Sequence, residues 1–132
     1  MLKNPLLITL IWAIFILIIC LIPGDNIKNI NPINIPYLDK LIHFFMYMVL
    51  SVLLVSSIRR SSFFSKNPNL SYLLIVLLAI IYGGSIELLQ RLEIFSRNSD
   101  IIDFMANTAG VISGLFIYFV LKKIITKILR KA

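Results

Sequence analysis

The chain has 132 residues, of which 59% are hydrophobic and 14% charged, and its mean hydropathy is +0.94. A soluble domain of this length cannot bury so many apolar side chains, and a disordered chain would have a low hydropathy, so both classes are excluded. The formal net charge of +7 would suggest nucleic acid as the partner of a soluble protein. In a chain this apolar, we expect membrane lipids as partners and no nucleic acid.

Four apolar runs follow one another along the chain, at residues 5–22, 40–58, 70–90 and 101–121. Each is close to the ~20 residues that an α-helix needs to cross a hydrocarbon layer of ~30 Å. Too few residues remain between the runs for a second domain. The sequence therefore predicts an all-α polytopic membrane protein, one domain over residues 1–132 that is a bundle of four transmembrane helices.

The first run is interpreted as a span rather than as a signal peptide. Lys3 provides a basic start, but the run is longer than a usual signal-peptide core and has no A-x-A-like exit. Cys20 is the only cysteine, so no intramolecular disulfide can form, and we expect it to be a small buried residue. Because Thr9, Trp12 and Cys20 are its only residues of chemical interest, this helix is predicted to be a lipid-facing support.

The charged residues divide between the two ends of the predicted spans. Nine basic residues lie before the first run, between the second and third, and after the fourth: Lys3, Arg59, Arg60, Lys66, Lys122, Lys123, Lys127, Arg130 and Lys131. The opposite side carries four basic residues and all six acidic ones: Lys28, Lys40, Arg91 and Arg97, with Asp25, Asp39, Glu87, Glu93, Asp100 and Asp103. By the positive-inside rule, both termini are predicted to be cytoplasmic.

Two of the basic segments have further features. The connection at residues 59–69 is short, with Phe63 and Phe64 expected at the depth of the lipid headgroups. The segment at residues 122–131 alternates basic with apolar residues and is predicted to be an amphipathic tail suited to anionic lipid. It is either a simple orientation anchor or a helix that binds a partner.

Polar stripes mark the outer ends of three predicted helices. Asp39, His43 and Tyr47 are spaced by four residues on the second helix, beside Lys40. The remaining stripes comprise Gly83, Glu87 and Gln90 on the third helix, and Asp100, Asp103, Asn107, Gly110 and Gly114 on the fourth, which follows Arg97. Ionisable groups at such positions are costly and usually functional.

Several of these residues have purely structural alternatives. Asp39 and Asp100 could be helix N-caps, Tyr47 could pack in the core, and Lys40 could extend to the interface. The glycines are explained most simply by close helix packing. Glu87 is less easily explained, because the macrodipole disfavours an anion in the last turn of a helix, so we expect a partner such as His43, Lys40 or Arg97.

Three motifs in order resemble the VanZ-like family of small bacterial membrane proteins. They are Asp39-Lys40-x-x-His43-Phe44-x-x-Tyr47, then Glu87-x-x-Gln90, then Arg97-x-x-Asp100-x-x-Asp103-x-x-Ala106-Asn107-x-x-Gly110. The similarity covers residues 36–114. It implies a membrane protein of the cell envelope, in a family whose namesake is associated with teicoplanin resistance, and it carries over no catalytic residue.

The sequence predicts that the outer polar residues form a pocket for a lipid headgroup or a lipid-linked or glycopeptide-type amphiphile. The pocket is predicted to comprise Asp39, Lys40, His43, Tyr47, Glu87, Gln90, Arg97, Asp100, Asp103 and Asn107, with no metal and no identified cofactor. The alternative is a membrane-embedded hydrolase or transferase, with His43, Glu87 and Asp103 as candidate catalytic residues. No serine or cysteine nucleophile is expected on the stripes, since Ser85 points off the face of Glu87. A transporter is disfavoured because the deeper halves of the helices are apolar.

The predicted orientation can be tested by cysteine labelling. In a chain with Cys20 replaced by Ser, we expect Asn29→Cys to react with an impermeant thiol reagent in intact cells. Ser65→Cys is expected to react only after the membrane is opened, because it lies among the basic residues of the cytoplasmic side. The reverse pattern of labelling would contradict the orientation.

Overall fold

Five α-helices make up the part of the chain that the computed structural model describes, residues 4–22, 37–59, 61–92 and 101–130. The helices are α1 (Pro5–Leu21), α2 (Leu38–Ile58), α3 (Ser62–Lys66), α4 (Pro68–Gln90) and α5 (Ile101–Leu129). No strand occurs within the described residues, which confirms the predicted all-α class.

Three of the helices, α2, α4 and α5, are long and apolar enough to cross a membrane. The remaining apolar helix, α1, has 17 residues and is shorter, so the count of four spans stays a prediction. Large apolar side chains are exposed on every long helix, including Leu10 on α1, Leu41 on α2, Leu78 on α4 and Phe116 on α5. A soluble monomer rarely exposes so much contiguous apolar surface, and the apolar helices therefore indicate a membrane protein.

Hydrogen bonds between helices give the direction of α1. The hydroxyl groups of Thr9 and Ser57 lie 2.6 Å apart, and the indole of Trp12 donates to the carbonyl oxygen of Met46 at 3.0 Å. The Tyr82 hydroxyl donates to the carbonyl oxygen of Ala13 at 2.6 Å. Farther along both helices, Gln90 donates to the carbonyl oxygen of Cys20 at 2.7 Å. Hence α1 runs antiparallel to α2 and parallel to α4.

The predicted role of α1 as a lipid-facing support is correct for only one of its faces. Leu6 and Ile14 are exposed, as a lipid-facing surface requires, whereas Thr9, Ile16 and Cys20 are buried against the other helices. Its hydrogen bonds to α2 and α4 make it part of the bundle core.

Helices α2 and α5 run parallel with their backbones close together, and among the described residues they form the most extensive helix contact. A Cβ added to Gly110 would overlap the carbonyl oxygen of Phe44, and one added to Gly114 would overlap the carbonyl oxygen of Met48. Gly110 and Gly114 are four residues apart on α5, and Phe44 and Met48 are four residues apart on α2. Small residues at this spacing let helix backbones meet in a membrane, where lipid tails provide no hydrophobic drive for association.

At the other end of the bundle, the basic connection and the basic tail are both helical in part. The connection after α2 contains the short helix α3, which is capped where the Ser61 hydroxyl accepts a hydrogen bond from the Phe64 amide. Phe63 is exposed and Phe64 is buried, with its ring 5.1 Å from that of Tyr72, and their depth in the membrane stays a prediction. Helix α5 continues beyond residue 121 to Leu129, so the basic tail extends the last span without a break.

We expect Gly110→Ala and Gly114→Ala each to lower the thermal stability of the purified protein in detergent. The new methyl group would overlap backbone that cannot move independently of α2, and overpacking of this kind costs ~1–3 kcal/mol. Gly84→Ala is the matched control, because its nearest contact would be the Phe104 ring at 3.4 Å, an ordinary van der Waals distance. Equal melting temperatures for all three variants would contradict the close contact.

Candidate functional site

Three helices bring ionisable side chains to one end of the bundle, where α2 and α5 begin and α4 ends. His43 lies on α2, Glu87 on α4 and Asp103 on α5, and all three are buried. With their neighbours they form what we call the polar cluster: Lys40, His43, Tyr47, Glu87, Asp103 and Asn107. The predicted stripes therefore converge, because the parallel α2 and α5 place their first turns at the same level as the last turn of α4.

An ion pair across the interface of α2 and α5 forms the outer edge of the polar cluster. The Lys40 Nζ atom lies 3.0 Å from Asp103 Oδ1 and 3.0 Å from Asp39 Oδ2. The side chains of Lys40 and Asp103 are 17% and 12% exposed, whereas that of Asp39 is 54% exposed. Asp103 is thus held in the protein, and Asp39 faces outward.

The N-cap alternative for Asp39 is wrong. Helix α2 has Tyr37 at its N-cap position, without a side-chain cap hydrogen bond, and Asp39 lies inside the first turn. A carboxylate in the first turn still interacts favourably with the positive end of the helix macrodipole. Asp100 and Arg97, the two other charged residues of the predicted pocket, lie outside the described residues.

His43 connects all three helices of the polar cluster. Its Nδ1 atom is 3.0 Å from Asn107 Oδ1 and 4.0 Å from Glu87 Oε1. An amide oxygen can only accept, so Nδ1 donates to Asn107, and the neutral ring then has its lone pair on Nε2. His43, one of the three partners predicted for Glu87, thus lies close to its carboxylate.

The inner edge of the polar cluster is closely packed around Gly83. A Cβ at this position would lie 3.1 Å from the Tyr47 ring and 3.3 Å from Asn107 Nδ2, which explains the glycine. Within the described part of the chain, the Tyr47 hydroxyl and Asn107 Nδ2 have no hydrogen-bond partner although both are buried. Leaving such a group without a hydrogen bond costs ~1–3 kcal/mol. Each of the two atoms can therefore form a hydrogen bond with an added polar group.

Gln90, predicted in the pocket, is engaged with α1. Its Nε2 atom donates to the carbonyl oxygen of Cys20 at 2.7 Å, and both residues are buried. Sequence reasoning did not find this contact, because a backbone acceptor on another helix leaves no signal in side-chain spacing.

Sequence reasoning also missed Ser51. It continues the spacing of four after His43 and Tyr47, and it is fully buried on α2 with no hydrogen-bond partner for its hydroxyl among the described residues. The expectation of no serine on the stripes was therefore wrong for α2. At ~1.5 Å rise per residue, however, Ser51 lies roughly 12 Å from His43 along the helix, too far for direct activation. Ser85 is exposed and donates to the carbonyl oxygen of Ile81.

The charges of the polar cluster favour a cationic or a mixed-charge ligand. Asp103 and Glu87 contribute two carboxylates and Lys40 one ammonium, and Asp39 stands beside them. Within the described residues, no group of three His, Cys, Asp or Glu side chains is arranged to hold a metal ion. The arrangement supplies hydrogen bonds and charge, with one imidazole able to accept a proton.

Comparison with known proteins identifies the family of the chain. The family model described as VanZ/LLP1 matches residues 6–122 of the chain. No curated protein and no solved structure matches this chain.

We expect Asp103→Asn to lower thermal stability in detergent much more than Asp39→Asn. Both substitutions remove a carboxylate at 3.0 Å from Lys40 Nζ, but the first breaks a poorly solvated pair and the second an exposed one. The free energy of unfolding should fall by ~3–5 kcal/mol for Asp103→Asn and by less than about 1 kcal/mol for Asp39→Asn. Thermal unfolding followed by circular dichroism measures the difference, and equal losses would mean that water already screens the inner pair.

Proposed function

The chain belongs to the VanZ/LLP1 family, and on that premise we propose that it is a four-span protein of the bacterial cytoplasmic membrane. Both termini would be cytoplasmic and the polar cluster would lie in the outer leaflet. The excess of basic residues at the opposite end supports this orientation. The 17 residues of α1 are at the lower limit for a span, and its hydrogen bonds to α2 and α4 support placing it alongside them.

In this proposal, the polar cluster binds the headgroup of an envelope lipid or of an amphiphilic compound. The observation that carries the proposal is the burial of His43, Glu87 and Asp103 from three helices at one depth. Helix packing alone does not need these groups, because serine, threonine or glycine provide contacts at a lower desolvation cost.

The chemistry of the cluster favours a headgroup with both an amine and a phosphate or sugar. The carboxylates of Glu87 and Asp103 can accept from an amine, and Lys40 can donate to a phosphate. The buried Tyr47 hydroxyl and Asn107 amide offer further donors for sugar or phosphate oxygens. Phosphatidylethanolamine carries an amine and a phosphate and is therefore a suitable probe.

A contribution to resistance against glycopeptides of the teicoplanin type is the cellular role that we propose. Family membership supports a link to resistance. A pocket facing the outer leaflet would meet an amphiphile arriving from outside the cell.

The second candidate is a membrane-embedded hydrolase or transferase in which His43 is the general base. The hydrogen bond from Nδ1 to Asn107 favours it, because that contact leaves the basic lone pair on Nε2. It would act on a water or a substrate hydroxyl, since Ser51 is too distant and Ser85 faces away. In this candidate, His43 and the neighbouring carboxylates of Glu87 and Asp103 carry the chemistry.

The proposal predicts that His43→Ala and Asn107→Leu abolish function while the protein still folds. In a susceptible bacterium, we expect expression of the unchanged protein to raise the inhibitory concentration of teicoplanin. Expression of either variant should leave that concentration unchanged. With purified protein in detergent, both should bind phosphatidylethanolamine at least roughly tenfold more weakly, the effect of losing about one charge-assisted hydrogen bond.

Tyr82→Phe is the control for these variants. It removes one hydrogen bond between helices, to Ala13, at a position outside the polar cluster. Size-exclusion chromatography establishes that each variant folds before binding is compared. If folded His43→Ala binds the lipid and protects cells as well as the control does, the polar cluster is structural.

A further inference from the structure

A second candidate site lies at the opposite end of the bundle from the polar cluster. An open cleft of ≈ 410 Å³ is lined there by Arg59, Phe64, Tyr118, Lys122, Ile125 and Thr126. It adjoins a cleft of ≈ 560 Å³ along the end of α5, with which it shares Lys122 and Thr126. We propose that the cleft at Arg59, which we call the basic cleft, binds the phosphate of an anionic phospholipid.

The charge around the basic cleft is of one sign. Arg59 and Lys122 line it, and Lys123, Lys127 and Arg130 continue along the adjoining cleft. No aspartate or glutamate occurs between residues 40 and 86 or from residue 104 to the end of the chain, so no acidic side chain of these segments offsets the positive charge. An anion is therefore the complementary ligand.

One cation in the basic cleft is held by a buried partner. The Arg59 guanidinium donates from Nη1 to the Tyr118 hydroxyl at 3.2 Å, and Tyr118 is only 7% exposed. A guanidinium has five N–H donors in a planar fork, so this contact uses one donor and restricts the orientation of the others. A positioned guanidinium suits the bidentate binding of phosphate better than a freely moving one.

The depth of the basic cleft favours a lipid over a dissolved phosphate. From Ile101, about 20 helical residues span the ~30 Å of hydrocarbon and end near Leu121, directly before Lys122. Helix α2 ends at Ile58, directly before Arg59. Both cations thus stand where the hydrocarbon layer meets the headgroups.

Aromatic and apolar side chains lie next to the cations of the basic cleft. Phe64 and Ile125 line it. Behind Phe64 packs Tyr72, whose ring is 4.8 Å from that of Phe119, a residue of the adjoining cleft. Aromatic rings are enriched at headgroup depth, where one edge faces acyl chains and the other faces water. A phospholipid satisfies both features, with its phosphate at Arg59 and Lys122 and its chains along the aromatic wall.

The test compares lipids added to the full chain in a neutral detergent. We expect phosphatidylglycerol to raise the melting temperature more than phosphatidylcholine does. Arg59→Gln and Lys122→Gln are each expected to weaken the apparent affinity for phosphatidylglycerol by roughly tenfold, with each variant compared with its own lipid-free melting temperature. Tyr118→Phe should weaken it less, because the guanidinium remains but loses its positioning partner.

Lys66→Gln is the matched control, since it removes the same charge from an exposed residue of the same end that does not line the basic cleft. If this variant loses as much affinity as Lys122→Gln, the lipid is held by diffuse attraction and the proposal is wrong. Equal responses to the two lipids would also overturn it. Displacement of phosphatidylglycerol by millimolar inorganic phosphate would show that the cleft takes a free anion instead.

Discussion

The contact of Gly110 and Gly114 with the backbone of α2 is the constraint on which both ends of the molecule depend. A Cβ atom at either glycine would overlap the carbonyl oxygen of Phe44 or Met48. Because glycine has no Cβ atom, the two parallel helices can lie with their backbones in contact. That register brings Lys40 to Asp103 and His43 to Asn107 at one end. The same rigid pair brings Arg59 to Tyr118 at the other end.

Hydrogen bonds to backbone carbonyls then attach α1 to α2 and α4 to α1. Trp12, Tyr82 and Gln90 each donate to a carbonyl oxygen of a neighbouring helix, at 3.0, 2.6 and 2.7 Å. The carbonyl oxygens of Met46 and Ala13 lie inside helices and accept through a second lone pair, whereas that of Cys20 lies in the last turn of α1, where carbonyls have no intrahelical donor. In a medium without water, such contacts supply directionality that apolar packing against lipid-like side chains does not.

The sequence was most informative where the residue spacing decides a helix face. The interval of four residues correctly grouped His43 with Tyr47 and Glu87 with Gly83, and the small residues of α5 correctly indicated close packing. It was least informative about partners on other helices, such as the Cys20 carbonyl that binds Gln90. All the long helices are apolar around most of their circumference, so the pattern does not indicate which helix lies beside which. The short helix α3 depends on a single cap at Ser61, a signal too local to stand out in a basic connection.

The two polar ends of the bundle differ in a way that suits two different tasks. At the polar cluster, two carboxylates and an imidazole are buried beside a half-buried ammonium, and these groups neutralise one another in part, so a bound headgroup would replace contacts that the protein already makes. Such a site gains selectivity, because a poorly matched headgroup would leave buried groups unpaired. At the basic cleft, the cations are exposed and of one sign, so binding needs no exchange of partners and depends on charge at the membrane surface. Under the two proposals, the polar cluster would therefore distinguish one headgroup from another, whereas the basic cleft would hold the bundle at a fixed depth and orientation.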